Sequence, residues 1–185
     1  MSKGKLFIIS GPSGVGKSTV LRKVTQRRQD LTFSVSATTR KPRPEDKEGV
    51  TYYFLTTEMF ERWIREGEFL EYDYHNSKYY GTPRKQLEEK RARSHVILDI
   101  EPKGAFAVRK EIPEAVLIFI MPPSVKELEH RLRSRGDTDE EQVLQRLARA
   151  KWEMEQRQEY DYVVVNDQAD ACAEEILKII AKTAD

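Results

Sequence analysis

Cysteine occurs once in this chain of 185 residues, at Cys172, so an internal disulfide is excluded and no thiolate metal centre is suggested. A lone thiol in an apolar helical segment reads as a small core residue. No apolar run nears the ~20 residues that a membrane-crossing helix needs. The N-terminal apolar run 6–9 stops at a glycine-rich stretch, unlike the longer core of a secretory signal, so a cytoplasmic location is expected. An excess of one charge is missing too. The 32 Lys and Arg against 31 Asp and Glu leave a formal charge of +1, which argues against a grip on nucleic acid through bulk electrostatics. The three histidines, His75, His95 and His130, stand at no metal-ligand spacing and read as surface or satisfied residues. Neither an internal repeat nor a low-complexity tract breaks the chain, and its length suits one domain with a real core.

What the chain does have is the stretch Gly11-Pro12-Ser13-Gly14-Val15-Gly16-Lys17-Ser18-Thr19. The apolar run 6–9 before it reads as a buried strand. Val20, Leu21 and Val24 after it recur at helical spacing. Strand, glycine loop and helix stand in the order that a phosphate-binding loop requires. Glycines let the backbone wrap an anion, so that N–H groups and a helix N-terminus point at phosphate oxygens. Lys17 is expected to reach the β- and γ-phosphates, and Ser18 to hold Mg²⁺ through its hydroxyl.

Downstream, strands are expected at 32–36, 52–55, 69–72, 78–81, 96–100, 116–121 and 162–165. Helices are expected at 57–67, from Thr82-Pro83 as cap and first turn, at 105–112, from the Ser124/Glu127 capping box, from the Thr138/Glu141 capping box to about 160, and at 171–182. Met59, Phe60, Trp63 and Ile64 share one face of the first of these. Outside the aromatic-rich stretch 52–80, strands alternate with helices, which implies a parallel sheet covered on both faces. Ligands bind beyond the carboxyl ends of such strands. The loop, Asp99, the residues after Met121, and Asn166 all fall there and are expected to converge. Asp99 ends an apolar strand, where a phosphate-loop enzyme often places its metal-side carboxylate. Arg40 and Arg43, three apart around Pro42, suit a clamp for a second phosphate. The aromatics of the insert serve either a substrate or simple core packing. Arg131, Arg133, Arg135 and Arg146 flank Gly136 and read either as a phosphate-facing flap or as a solvated face.

The chain resembles the guanylate kinases from about Lys5 to Ile180. The residues that carry the likeness are the loop 11–19, Ser34-Val35-Ser36 with Thr38-Thr39-Arg40 and Pro42-Arg43, Tyr79-Tyr80-Gly81-Thr82, Leu98-Asp99-Ile100, Pro122-Pro123-Ser124-Val125, Arg135-Gly136 and Val163-Val164-Val165-Asn166-Asp167. The resemblance implies an α/β fold like that of phosphate-loop nucleoside monophosphate kinases: a central parallel sheet flanked by helices, a small mixed GMP-binding insert and a helical lid. Within a single domain the core would take about 1–35, 95–125 and 155–185, the insert about 36–90 and the lid about 126–154. It implies transfer of the γ-phosphoryl group of MgATP to GMP, and dGMP as well, giving ADP and GDP in purine nucleotide metabolism. No nucleic-acid or membrane partner is implied, and monomer and homo-oligomer both stay open.

Carried over residue by residue, the resemblance assigns Gly11, Pro12, Ser13, Gly14, Val15, Gly16, Lys17, Ser18 and Thr19 to the ATP phosphates and Asn166 to the adenine edge. Ser36, Glu71, Asp99 and Glu101 go to the guanine side, Arg40, Arg43, Tyr52 and Tyr80 to the GMP phosphate, and Thr82 to the GMP site without a side assigned. Lys17, Arg40, Arg135 and Arg146 become catalytic in the electrostatic sense, since phosphoryl transfer needs two phosphates in line and cations at the equatorial oxygens. Ser18 ligates Mg²⁺ directly. Asp99 acts through water on the metal or at the guanine amino group. Chemistry supports Glu71 as base reader: guanine presents N1–H and N2–H₂ together, and adenine an acceptor at N1. A buried acceptor facing the wrong base costs roughly 1–3 kcal/mol.

The chain departs from the family pattern at four places. Glu45-Asp46 replaces Gly-Glu, setting a Cβ at a position suited to positive φ. Ser77-Lys78 replaces Gly-Asn, Glu101 replaces a second aspartate, and Pro102-Lys103 replaces the pair that follows it. Two rival readings are a kinase for a phosphorylated sugar, which would lack the guanine readers, and a phosphopeptide-binding scaffold, which would lack the loop lysine.

Overall fold

A computed structural model describes residues 3–75, 77–134 and 140–184. In chain order it has β1 (Leu6–Ser10), α1 (Lys17–Arg27), β2 (Leu31–Phe33), β3 (Ala37–Thr38), β4 (Tyr53–Phe54), α2 (Thr57–Glu66), β5 (Phe69–His75), β6 (Lys78–Pro83) and α3 (Arg84–Arg91). Then follow β7 (His95–Asp99), α4 (Pro102–Glu111), β8 (Val116–Met121), α5 (Val125–Arg133), α6 (Glu140–Glu155), a 3₁₀ turn (Gln156–Glu159), β9 (Tyr162–Val165) and α7 (Ala169–Ala184). Among the described residues no helix is long and apolar enough to cross a membrane.

Five parallel strands form the central sheet in the order β2-β7-β1-β8-β9. Its strands read as continuous apolar runs because both faces are covered. Leu6, Ile8, Val96, Leu98, Leu117 and Phe119 face a layer built from Leu87, Ala105, Val108, Leu128, Leu147 and their neighbours. The alternate residues Phe7, Ile9, Ile97, Ile118 and Ile120 face Val20, Leu21, Val24, Cys172, Ile176 and Ile180 of α1 and α7. Each such aliphatic or aromatic side chain contributes about 1.5–3 kcal/mol by leaving water. The expected doubly covered parallel sheet is therefore present, and Cys172 is the small core residue foreseen.

A second, mixed sheet has the order β4-β3-β6-β5. β3 and β4 are parallel, and β6 runs antiparallel to both β3 and β5. Phe60 of α2 stacks on Phe69 at 4.2 Å and on Tyr79 at 5.0 Å, forming a small aromatic core. Thr56 caps α2 by accepting from the Met59 N–H, and Gly67 ends it at φ 71°. Met59, expected on the packed face, is instead exposed.

Four expectations are corrected. Of the strand expected at 32–36 only 32–33 is strand, the end of β2, and 34–36 lead across to β3 in the other sheet. Ser34 still donates its N–H to Ile97 of β7, but the Ser36 carbonyl already accepts from Tyr53, so the chain changes sheets between them. Thr82 is not a helix cap: it belongs to β6, and α3 begins at Arg84 after Pro83. α4 starts at Pro102 rather than 105, and α6 ends at Glu155 before the 3₁₀ turn. The Ser124 cap on the Glu127 N–H is present, whereas Thr138 lies outside the described residues.

Candidate active site

The loop between β1 and α1 closes through the Val15 N–H to the Pro12 carbonyl. Gly16, at φ 91°, sits at the helix N-cap, and a Cβ there would come 2.7 Å from Asn166 Nδ2. Only glycine fits both that backbone and that approach. Asn166 is buried. Its Nδ2 donates to the Val15 carbonyl at 2.7 Å and its Oδ1 has no partner among the described residues. Arg131 Nη1 donates to the carbonyls of Val15 and Asn166 at 3.3 and 3.4 Å. Asn166 thus braces the loop from beneath rather than lining the cavity above it.

That cavity, of about 740 Å³, is lined by all nine residues 11–19 together with Arg146, Arg149, Glu153, His75 and Glu101. Arg146 of α6 donates to Ser13 Oγ at 2.8 Å. Arg149 pairs with Glu101 at 2.5 Å and with Glu153 at 3.2 Å. Burial, with Glu101 adding to it, pushes the Glu153 carboxyl upward despite Arg149. Lys17 Nζ lies 2.5 Å from Asp99 Oδ1, since the β1–β7 register sets Asp99 beside Ile9 at the start of the loop.

A second cavity, of about 370 Å³, is lined by Ser36, Tyr52, Glu71, Asp73, Tyr80 and Asp99, among others. Lys17, His75 and Glu101 line both cavities, so the two share a wall. Glu71 and Lys17 open on this same second space. Glu71 stands opposite Thr82 in the β5–β6 ladder, and the Thr82 hydroxyl donates to Glu71 Oε1 at 2.6 Å. On its other side a Cβ on Gly104 would come 2.8 Å from Glu71 Oε2, so glycine at the start of α4 leaves the carboxylate its room. Burial pushes the Glu71 carboxyl up to about 7, against the bond from Thr82 and with the help of Asp73 and Glu101.

Arg40 and Arg43 do not line that cavity. Arg40 pairs with Asp46 at 2.8 Å and lies over the Tyr52 ring at 5.2 Å, while Arg43 is exposed with its N–H on Asp46 at 2.7 Å. Those two contacts, the Arg43 N–H first, hold the Asp46 carboxyl below the usual range. Glu45 causes no strain: the non-glycine residue with positive φ among the described residues is Ser77, at 57°. Thr82 is fully buried behind Glu71, and Arg135 lies outside the described residues. Arg133 pairs with Glu129 and Glu140, a surface role.

Sequence reasoning missed His75, Asp73, Lys103, Arg149 and Glu153. Asp73 and His75 follow Glu71 at the two-residue period of one strand face, and Arg149 and Glu153 follow Arg146 at helical spacing, so periodicity held the signal. His75, read as satisfied surface, brings a ring nitrogen within 4.8 Å of ligand atoms of Asp73 and Glu101. Both carboxylates already face cations, Lys103 at 2.6 Å and Arg149 at 2.5 Å, so the group is an ion-pair network.

The guanylate kinase family model matches residues 3–183. A guanylate kinase of Oceanobacillus iheyensis is 47% identical over 96% of this chain and 87% of its own. One of Thermosynechococcus vestitus is 51% identical over 89% and 86%. Among solved structures, guanylate kinase from Anaplasma phagocytophilum matches with a TM-score of 0.80 and 35% identity, covering 99% of this chain and 87% of that one. The SH3-kinase fragment of tight junction protein 3, at 12% identity and a TM-score of 0.50, covers all of this chain and 59% of that one and shares the fold alone. With the loop and its lysine intact, the paired cavities in place and kinship along nearly the whole chain, the protein belongs to the guanylate kinase family.

Proposed function

We propose that the protein transfers the γ-phosphoryl group of ATP to GMP, and to dGMP, yielding ADP with GDP or dGDP in the cytoplasm. The observation that carries this is the shared wall: Lys17 lines both the loop cavity and the one holding Glu71. A polyphosphate on the loop and a nucleoside monophosphate read by Glu71 then meet at Lys17.

Residues 11–19 bind the ATP phosphates through backbone N–H groups and Lys17. Asn166 positions that loop through its bond to the Val15 carbonyl, and its unpartnered Oδ1 is the atom left to meet the adenine edge. Ser36, Glu71, Asp99 and Glu101 take guanine, with Thr82 fixing Glu71. Tyr52, Tyr80, Arg40 and Arg43 take the GMP phosphate, which draws Arg40 away from Asp46. The insert at about 36–90 and a lid at about 126–154 close over the core at about 1–35, 95–125 and 155–185, excluding water.

Hydroxyl and carboxylate oxygens suit Mg²⁺, and Ser18 directly and Asp99 through water would hold it. When bound, the ion would supply charge neutralisation for the transferring phosphoryl group. Lys17, Arg146, Arg40 and Arg135 stabilise the charge that spreads over the equatorial oxygens. Lys17 must leave Asp99 to do so, so in the free protein Asp99 holds the lysine's charge in place.

A coupled assay with MgATP and GMP, AMP, CMP or UMP in parallel tests this. ADP should form with GMP at least tenfold faster than with the others, and equal rates with AMP would overturn it. Lys17→Ala should lower turnover about 100-fold or more at an unchanged unfolding temperature.

A further inference from the structure

We propose that His75 is a positioning residue for the acceptor nucleotide, acting through Tyr80, and that Asp73 and Lys103 anchor it to the core; this rests on the reading of Tyr80 as an acceptor-phosphate ligand. The β5–β6 ladder sets Glu71 opposite Thr82, Asp73 opposite Tyr80 and His75 opposite Lys78. By the two-residue period of a strand these six residues occupy one face of the hairpin. Tyr72 and Tyr74 occupy the other and are exposed.

On the first face the His75 ring lies nearly parallel to the Tyr80 ring, 4.6 Å between centroids and 10° between planes. Tyr80 also meets Tyr52 in a T-shaped contact, 6.2 Å between centroids, and Tyr52 in turn carries Arg40 over its face. Tyr80 is therefore in contact with two rings, and of these His75 is the one that lines both cavities. His75 has its own fixed point: its Nδ1 lies 3.3 Å from Asp73 Oδ2. The other oxygen, Asp73 Oδ1, accepts from Lys103 Nζ at 2.6 Å. Lys103 is in the first turn of α4, next to Gly104, the residue against which Glu71 packs.

The result is one unbroken series, Arg40–Tyr52–Tyr80–His75–Asp73–Lys103. It joins the acceptor-phosphate residues of the small sheet to a helix packed on the parallel sheet. A tyrosine hydroxyl contributes to phosphate binding only if its ring is held in one place, and a flat ring stacked on it restricts it at no cost in unpaired polar groups. The ion pair to Lys103 is exposed and contributes little to stability by itself. Its effect is directional: it sets where His75 stands relative to the core, and so where Tyr80 stands relative to Lys17.

The test is steady-state kinetics with calorimetric GMP binding, on His75→Ala, His75→Phe and Lys103→Ala, each checked by thermal unfolding. His75→Ala should raise KM and Kd for GMP about 3- to 10-fold, the range of an aromatic pair, with KM for ATP within twofold of the parent. His75→Phe keeps the flat ring and should restore both constants to within twofold. Lys103→Ala should raise KM for GMP by a smaller factor and again spare ATP. Three results overturn the proposal: KM and Kd for GMP unchanged in His75→Ala, an equal rise for ATP and GMP, or no rescue by His75→Phe. A parent protein that binds GMP without turning it over refutes the kinase reading, and the Kd values alone then decide the role of His75. A parent that binds no GMP refutes both.

Discussion

Thr82 donates its hydroxyl hydrogen to Glu71 Oε1 at 2.6 Å, from the position directly opposite it across the β5–β6 ladder. A buried carboxylate thereby keeps one fixed oxygen and one oxygen against Gly104. On the proposed reading of Glu71, its ionisation becomes part of base recognition, because guanine N1–H and N2–H need an acceptor on each oxygen.

Binding of GMP should therefore release a proton. Glu71 titrates near 7 in the free protein, and only the ionised form accepts from both guanine donors. Kd for GMP should fall as pH rises from 6 to about 7, by up to tenfold per unit, and level off above. Calorimetry at several pH values checks this, with Glu71→Gln as control: it retains the titration of the GMP phosphate near pH 6 and loses the rest. Stability runs the other way. The folded protein binds this proton more tightly than the unfolded chain, whose carboxyl titrates near 4.5, so Glu71 costs stability as pH rises from 4.5 to 7, about 3 kcal/mol at most. Glu71→Gln should melt higher than the parent at pH 8. Thr82→Val removes the larger of the two bonds from Thr82 that pull the carboxyl down and should move the binding midpoint above 7. A parent Kd that is flat from pH 6 to 8 would count against the assignment.

Ser77, at φ 57°, occupies the left-handed region in the turn between β5 and β6. A residue with a Cβ is strained there, and glycine is not, though glycine gives up more freedom on folding. Ser77→Gly should gain about 0.5–1 kcal/mol, seen as a rise of about 1–4 °C in Tm. Selectivity for GMP over AMP should not change. A lower Tm would show that the serine side chain stabilises the turn.

Cys172 is buried between α7 and the parallel sheet, and burial pushes its thiol up to about 12. Alkylating reagents attack thiolates, so the folded protein at pH 8 should resist them and label only as fast as it unfolds. Labelling in native buffer and in urea, followed by mass spectrometry, checks this. Native labelling at the rate of a free thiol would show that α7 opens on its own.

The parallel sheet was readable because its strands are buried on both faces, so Leu6 to Ile9 or Leu117 to Ile120 stand out as unbroken apolar runs. The phosphate loop was readable for a local reason, that a tight anion cradle requires glycine at fixed spacing. The small sheet was harder. β3 and β4 have two residues each, too few for alternation to register, and the chain changes sheets inside an apparent single strand at 32–36. Thr82-Pro83 looked like a cap and first helical residue. A threonine before proline suits a strand end as well, and the burial of Glu71 across the ladder, invisible locally, decides between them. His75 was passed over because its partners Tyr80 and Lys103 come from another strand and from a helix 28 positions on.

The whole of the small sheet is inserted between β2 and β7, and those two strands are themselves hydrogen-bonded neighbours. In a plain alternating architecture a single helix would make that connection. On the proposed assignment, the residues that choose the acceptor, apart from Asp99 at the end of β7 and Glu101 just beyond it, thus replace one crossover link. A lineage that keeps β1, the glycine loop and α1 can exchange this one segment for another and acquire a new phosphate acceptor, with no strand of the main sheet moved and no hydrogen bond of its ladder lost.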